Sequence, residues 1–292
     1  MEHIEIAGDY RAQWGECPLW WQDRLLYVDT EGKRLLEYDP ANDKTSNWDV
    51  SSSVGRLGTV VPRATAGPEG ELILTGDTGI HYFNKQTNES ALICDPESDI
   101  ADNRFNDGKC SPDGRLFAGT ISTIKKEGSA TLYRLDQNLS LHIAFPGVTN
   151  SNGIVWNHDG SICYYIDTPR REVLAFDYCG DTGELSAPRS AFSTDHIDAS
   201  PDGMTIDNNG NLWIAYCHGG CVACYNPHSG KQLHRVDLPC LETTACAFGG
   251  ENLDELYVTT GLHKEIEEVD AGKLFRITGL GTAGVETNPF RG

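Results

Sequence analysis

A repeated layout of turns and short apolar runs is the feature that most limits how this chain can fold. In residues 104–120, a polar cluster precedes a Ser-Pro-Asp-Gly turn, which leads into an apolar run. Five other segments repeat this layout. The first apolar residues after the turns are separated by 46, 44, 46, 50 and 44 residues; they are Leu26, Leu72, Leu116, Ile162, Leu212 and Leu256. A period near this length is typical of four-stranded propeller blades. The six units predict an all-β fold, a six-bladed β-propeller.

Each unit carries a second mark, an aromatic residue near the end of a later strand: Tyr38, Tyr82, Tyr133, Phe176, Tyr225 and Phe275. Because aromatic residues suit half-buried strands and Asx, Pro and Gly supply turns, each unit is interpreted as four strands. The units are predicted near residues 12–52, 53–95, 100–145, 148–193, 198–240 and 241–281, in one domain covering 1–292. No window of a dozen residues has an unbroken helical stripe, which disfavours a parallel α/β fold.

The ring of blades must close, because an open end would expose unpaired strand edges. Residues 3–7 precede the first unit and alternate polar with apolar side chains. We therefore expect them to complete the last blade beside residues 273–279.

Charge and composition narrow the classes of partner. The chain has 23 Lys and Arg residues against 43 Asp and Glu residues, a formal net charge of −20. Such a field repels phosphate backbones and anionic lipids, so neither nucleic acid nor membrane is an expected partner. The first ten residues lack the basic and apolar regions of a secretory leader, and a cytoplasmic protein is expected. Its ten cysteines are then expected to be reduced thiols.

Four oxygen-bearing side chains share one position in the repeat. Counting ten residues back from each apolar marker gives Glu16, Pro62, Asn106, Asn152, Asp202 and Cys246. Equivalent positions on the inner strands of a propeller converge around its axis. Asn-Gly and Asp-Gly pairs are also ordinary turn signals, and Glu16 could simply begin a strand. The shared offset favours a common site, because turn chemistry does not require polar residues at one radial position.

Glu16, Asn152 and Asp202 together offer two carboxylates and an amide carbonyl. Hard oxygen donors of this kind suit Ca²⁺, Mg²⁺ or Mn²⁺, although Fe²⁺ and Zn²⁺ also accept them. A metal with open positions can polarise a carbonyl and lower the pKa of bound water, so hydrolysis is the predicted reaction class. Arg104 lies two residues before Asn106 and so on the same strand face, where both could hold substrate hydroxyls. Arg104 could equally pair with Asp102 or Asp107 at the rim.

A second candidate, a zinc site made by Cys217, Cys221 and Cys224 with His218, is not favoured by the repeat. His218 begins the predicted hairpin. Cys221 and Cys224 are three residues apart on one predicted strand, so their side chains point to opposite faces of the sheet. No other histidine has an evident Ser or Cys partner for a catalytic triad.

Several motifs taken together resemble one known family. They are Gly15-Glu16-Cys17-Pro18, Arg104-Phe105-Asn106-Asp107-Gly108, Ser151-Asn152-Gly153, Tyr165-Ile166-Asp167, Pro201-Asp202-Gly203-Met204 and Phe248-Gly249-Gly250. This set resembles the family of regucalcin (senescence marker protein), gluconolactonase and luciferin-regenerating enzyme. The similarity runs from the first unit to residue 281, nearly the whole chain.

The resemblance implies a six-bladed propeller with one divalent cation at the mouth of its channel. By motif match, Glu16, Asn152 and Asp202 would be the metal ligands, and Asp202 would also be the general base. Arg104 and Asn106 would match substrate-contacting positions, with Asn106 able to reach the metal through water. One departure concerns substrate choice: regucalcin-like members place an acidic residue shortly after the Ala-Gly-Thr motif, whereas here residues 121–125 are Ile-Ser-Thr-Ile-Lys.

The first hypothesis is therefore a metal-dependent lactonase that opens a sugar lactone to its aldonic acid. The alternatives are a non-enzymatic Ca²⁺-binding regulator of the regucalcin type and a hydrolase of the luciferin-regenerating type. A scaffold propeller that binds other proteins would need no inward carboxylates, so Glu16 and Asp202 disfavour it.

Overall fold

Six four-stranded antiparallel sheets make up the computed structural model, which describes residues 2–68 and 70–292. Blade 1 contains β2 (Gly15–Trp21), β3 (Arg24–Asp29), β4 (Arg34–Asp39) and β5 (Lys44–Asp49). Blade 2 contains β6 (Leu57–Gly67), β7 (Gly70–Gly76), β8 (Gly79–Asn84) and β9 (Glu89–Cys94). Blade 3 contains β10 (Asn103–Cys110), β11 (Leu116–Ser122), β12 (Ala130–Leu135) and β13 (Leu141–Val148).

The second half of the chain repeats this pattern. Blade 4 contains β14 (Ser151–Trp156), β15 (Ile162–Asp167), β16 (Glu172–Cys179) and β17 (Glu184–Ser193). Blade 5 contains β18 (Ser200–Ile206), β19 (Leu212–Cys217), β20 (Cys221–Tyr225) and β21 (Gln232–Asp237). Blade 6 contains β22 (Thr243–Gly249), β23 (Glu255–Thr260), β24 (Leu274–Thr278) and, from the start of the chain, β1 (His3–Ala7). The six apolar markers lie on the second strands, and the fold is a six-bladed β-propeller.

The ring closes through pairing between the two ends of the chain. β1 pairs antiparallel with β24, with Ile6 opposite Phe275. The first strands of consecutive blades contact one another all the way round, from β2 through β6, β10, β14, β18 and β22 back to β2. These six strands therefore surround the central axis, and their starting residues lie at the same end of it.

The core lies between the blades, where apolar faces of neighbouring sheets pack together. One cluster joins Val155 and Tyr164 of blade 4 to Leu212 and Ile214 of blade 5. Its members are almost fully buried, as expected for strands whose two faces both meet another blade. The blades thus hold the inner strands in place from both sides.

A 3₁₀ turn at Thr168–Arg170 is the only helical element within residues 2–68 and 70–292. No helix in these residues has the length and apolar character needed to span a bilayer. All ten cysteines are unpaired thiols.

Candidate functional site

Four of the predicted site residues lie near the beginnings of innermost strands and are buried. Glu16 is on β2, Asn106 on β10, Asn152 on β14 and Asp202 on β18, and each is at most 9% exposed. In every blade the pairing of the first and second strands shifts register at this point. A β-bulge re-aims side chains, which explains how polar residues come to face the axis within otherwise apolar strands.

The ten-residue count is wrong in blades 2 and 6. Pro62 pairs with Leu72 beyond the bulge, and Cys246 lies beyond the bulge of β22, where it pairs with Val258. The residues at the bulges are Gly58 and Thr244 instead. The count fails because β6 and β22 have more residues between the bulge and the first hairpin than the other inner strands have. Packing explains why residue 58 is a glycine, because a Cβ there would overlap the backbone carbonyls of β10.

A chain of hydrogen bonds joins three of the predicted residues. Arg104 Nη1 donates to Asn106 Oδ1 at 2.9 Å and to the Phe105 carbonyl at 2.8 Å. Asn106 Nδ2 donates to the Ser151 carbonyl at 2.7 Å and to Asn152 Oδ1 at 3.2 Å. Within the described residues, Arg104 makes these hydrogen bonds and no ion pair with Asp102 or Asp107, which was the alternative that the sequence left open. The guanidinium therefore lies against the site residues.

Thr168, which the sequence did not indicate, fixes the Asn152 side chain through a hydrogen bond. Asn152 Nδ2 donates to Thr168 Oγ1 at 2.7 Å, and Thr168 Oγ1 donates to the Pro201 carbonyl at 2.9 Å. The hydroxyl thus connects β14 to the residue immediately before Asp202. With its amide nitrogen engaged, Asn152 presents Oδ1 towards the axis.

Three buried carboxylates share this region, including one that the ten-residue count missed. Burial, together with the charges of Glu16 and Asp107, raises the pKa of Asp202 well above its usual value. Burial and the nearby Asp107 charge likewise raise the pKa of Glu16. Asp107 accepts hydrogen bonds from Cys17 Sγ at 3.1 Å and from the Gly108 amide at 2.6 Å. Asp107 could have been identified from its position next to Asn106, because both residues lie in the bulge of β10.

The donor set fits a divalent cation. Asp202 Oδ1 is buried and has no hydrogen-bond partner within the described residues. A buried carboxylate oxygen without a partner is costly, and the cost rises when other carboxylates lie nearby. Glu16 Oε1 accepts a single bond of 3.1 Å from Trp14 Nε1, which leaves acceptor capacity. Carboxylate and amide oxygens of Glu16, Asn152 and Asp202 are the ligands that hard cations prefer.

The cysteines that could have suggested zinc are separated as predicted. Cys221 packs between blades 4 and 5, whereas Cys224 packs between blades 5 and 6. Cys217, however, meets a residue that the sequence did not connect with it. Its Sγ donates to Glu242 Oε2 at 3.0 Å, and His218 also bonds to this carboxylate.

The molecule is thus a six-bladed propeller whose innermost strands present carboxylate and amide oxygens at one end of the axis. The family model described as the SMP-30/Gluconolactonase/LRE-like region matches residues 14–262. The chain belongs to this family.

Individual relatives match along nearly the full length. YvrE of Bacillus subtilis (strain 168), a candidate sugar lactone lactonase, is 35% identical over 294 residues, 98% of each chain. Regucalcin of Pongo abelii is 35% identical over 301 residues, covering 99% of this chain and 98% of the other. The solved structure of a luciferin-regenerating enzyme has a TM-score of 0.91 and 28% identity, and the match covers 100% of both chains.

Proposed function

We propose that this protein is a metal-dependent lactonase that opens a sugar lactone to the corresponding aldonic acid. The observation that carries the proposal is Asp202 Oδ1, which is buried, has no hydrogen-bond partner within the described residues and lies near enough to Glu16 for the two charges to repel each other. Family membership supports the reaction class, because one relative is named for sugar lactone hydrolysis. The lactone is a small molecule, which suits a site at the mouth of a narrow central channel.

Glu16, Asn152 and Asp202 would hold the cation, and their hard oxygens favour Ca²⁺, Mg²⁺ or Mn²⁺, although Zn²⁺ also accepts such a set. When bound, it would supply Lewis-acid polarisation of the lactone carbonyl and lower the pKa of water. Side chains of the protein orient the ligands and the substrate and transfer the proton. Thr168 fixes the Asn152 amide through its 2.7 Å bond, so the carbonyl oxygen stays directed at the site.

Asp202 is the proposed general base. Its carboxylate takes a proton from the attacking water as the water oxygen adds to the lactone carbonyl. The ring C–O bond then breaks, and the departing alkoxide takes the proton back from Asp202 to give the hydroxy acid. Asp202 Oδ1 has no hydrogen-bond partner within the described residues, so it is available to accept the proton of the water.

Arg104 and Asn106 are the proposed substrate contacts. Arg104 makes its hydrogen bonds through Nη1, to Asn106 Oδ1 and to the Phe105 carbonyl, and these bonds keep the guanidinium plane fixed. Within the described residues Nη2 makes no hydrogen bond, so that end of the guanidinium is available to a substrate hydroxyl. Charge-assisted hydrogen bonds of this kind contribute roughly 1.5–3 kcal/mol each, enough to select polyhydroxylated lactones over plain ones.

Replacement of Asp202 tests the proposal. Purified Asp202→Asn should lose roughly 10²–10⁴-fold in acid release from a panel of aldonolactones, because proton transfer is lost. The matched control is Asp198→Asn, which removes one charge from an exposed aspartate four residues earlier and should leave the rate unchanged. Chelated parent enzyme should be inactive and regain activity ion by ion. Parent-like turnover by Asp202→Asn, with an intact circular dichroism spectrum, would refute the assignment.

A non-enzymatic Ca²⁺-binding regulator is the second candidate, and the relatives named regucalcin favour it. The same residues would bind the ion, but no lactone in the panel would be hydrolysed with any metal. Tight Ca²⁺ binding without turnover would therefore decide for this role. In either case we propose a reducing, cytoplasmic location, because all ten cysteines are unpaired.

A further inference from the structure

A cluster of sulfur, nitrogen and oxygen ligands lies between blades 5 and 6, outside the residues assigned above. One ligand atom each from Cys217, His218 and Glu242 lies within 4.8 Å of the other two. Cys217 Sγ is 3.0 Å from Glu242 Oε2, and His218 Nδ1 is 2.9 Å from Glu242 Oε1. His263 Nε2 is 3.8 Å from Glu242 Oε1, but His263 Nδ1 accepts hydrogen bonds from two backbone amides that follow it, so Nε2 carries the ring proton and faces Glu242 as a donor.

The fold brings these residues together from two segments. Cys217 ends β19 and His218 opens the following hairpin, while Glu242 immediately precedes β22. Backbone bonds fix the Glu242 segment, since the Gly220 amide donates to the Leu241 carbonyl and the Gly261 amide donates to the Glu242 carbonyl, at 3.0 and 2.9 Å. The cluster is thus built on two neighbouring blades rather than on one mobile loop.

Hydrogen bonding alone would account for Glu242, because its carboxylate accepts bonds from the Cys217 thiol, the His218 amide and the His218 ring. It does not account for a thiol, an imidazole and a carboxylate brought together within 4.8 Å of one another. The Glu242 side chain is 3% exposed, whereas the His218 side chain is 60% exposed, so the cluster is buried on one side and open to solvent on the other. An ion could enter from solvent without displacing any strand.

We propose that Cys217, His218 and Glu242 form a second metal site, distinct from the oxygen-only site on the axis and selective for Zn²⁺ or a similar borderline-soft cation. One sulfur, one imidazole nitrogen and one carboxylate oxygen are ligands that Zn²⁺ accepts, and water from the open side would complete the tetrahedral set. Binding releases the proton of the Cys217 thiol, and the hydrogen bonds to Glu242 give way to bonds to the metal.

Cobalt substitution provides the test, with Co²⁺ itself as the probe. The chelated full-length protein is titrated with Co²⁺, and the thiolate-to-cobalt charge-transfer band in the near ultraviolet is recorded. We expect the parent protein to show this band, with an intensity that corresponds to one thiolate-bound Co²⁺ per chain. Cys217→Ser should abolish the band, and His218→Ala should weaken the affinity by more than the roughly 10–100-fold that loss of a supporting partner costs.

Two control variants distinguish this site from the remaining thiols and from the axial oxygens. Cys179→Ser removes the exposed thiol and should leave the band unchanged. Glu16→Gln impairs the proposed axial site and should also leave the band unchanged, so failure of the lactonase proposal would not affect this result. Because Cys217 is buried and its variant could misfold, the exposed His218 variant serves as an independent measurement. Absence of the band in the parent, its survival in Cys217→Ser, or parent-like affinity in His218→Ala would overturn the proposal.

Discussion

The Thr168 hydroxyl holds the amide nitrogen of Asn152 and so leaves the carbonyl oxygen as the atom that Asn152 offers to the axis. Thr168 Oγ1 accepts from Asn152 Nδ2 and donates to the Pro201 carbonyl, so its two bonds join the amide to the segment that carries Asp202. An amide side chain free to rotate would present its NH₂ group to a cation as readily as its oxygen. The orientation of this proposed ligand therefore depends in part on a residue that would not itself contact the ion.

Thr168→Val should weaken metal binding while leaving the fold intact. Valine has nearly the same shape but can neither accept nor donate a hydrogen bond, so Asn152 loses its fixed orientation. Removing a supporting partner of this kind typically costs about 10–100-fold in metal affinity. Isothermal titration of the chelated protein with Ca²⁺ and Mn²⁺ measures the loss.

The conservative variant Thr168→Ser supplies the control, because it keeps the hydroxyl and should restore most of the affinity. A purely packing role would give the opposite order, with valine tolerated and serine impaired. Equal affinities for the parent and Thr168→Val would show that Asn152 does not need this partner.

The residues that the sequence revealed and those it missed differ in a physical way. Asn152 and Asp202 occupy one position in a repeated pattern, so counting along the chain was sufficient to select them as candidates. Thr168 and Glu242 lie in turns and connections that follow or precede the strands, where loop conformation decides what they meet. Their contacts arise only when two blades are packed together, and no periodicity in one blade encodes them.

At the level of strands, the bulges of the innermost strands decide where the site can form. In β14 and β18 a glycine follows the site residue directly, and each glycine lies against the next inner strand round the ring. A Cβ on Gly153 would overlap Met204, and a Cβ on Gly203 would overlap Ala245. The close approach of the strands, rather than a left-handed backbone, accounts for these two glycines.

Gly203→Ala should destabilise the protein and impair the site together. The added methyl forces β18 and β22 apart, and overpacking of this kind typically costs about 1–3 kcal/mol. Asp202 is the preceding residue, so the same displacement should lower the lactonase rate. The free energy of unfolding in urea and the initial rate of acid release are the two measurements.

Gly180→Ala is the matched control, since a Cβ at this position meets no atom within 4 Å. It should be neutral or slightly stabilising, because alanine reduces the freedom of the unfolded chain. If Gly203→Ala were as stable and as active as Gly180→Ala, the inner strands would have to be less tightly packed than described.

The same bulges mark the limit of sequence reasoning about elements. The number of strands and the closing role of residues 3–7 follow from alternation and from the need to cover an edge, which are local or topological facts. The ten-residue count assumes that every blade has equal numbers of residues between bulge and hairpin. Blades 2 and 6 break this assumption, so Pro62 and Cys246 were wrong members of the set.

At the scale of the whole molecule, the last ten residues cover the end of the axis opposite the candidate site. The Asn208 amide donates to the Ala283 carbonyl, the Phe290 amide to the Pro62 carbonyl, and the Arg291 amide to the Gly114 carbonyl, at 2.7 to 3.0 Å. Residues 285–288 line a cavity of about 240 Å³ in the axis, together with Asp107 and Lys109. The tail thus joins blades 2, 3 and 5 and closes the channel below the site.

Phe290 anchors this tail, and its loss should lower stability without abolishing the chemistry. Its side chain is fully buried in the cluster that contains Val61 and Leu72 of blade 2. Phe290→Ala removes that contact and leaves a cavity, a change that typically costs about 3–5 kcal/mol. For a domain of this size the melting temperature should fall by roughly 5–15 °C. Val285→Ala, which truncates an exposed residue of the same tail, should shift it by less than about 2 °C.

The chemistry should survive this loss of stability, because Glu16, Asn152 and Asp202 lie at the other end of the inner strands. Well below its own melting temperature, Phe290→Ala should therefore hydrolyse lactone at close to the parent rate. Calorimetry and acid release on one preparation measure both quantities. A variant that keeps the parent melting temperature would show that the tail does not fasten the blades, and a stable variant that has lost turnover would show that the tail reaches the site.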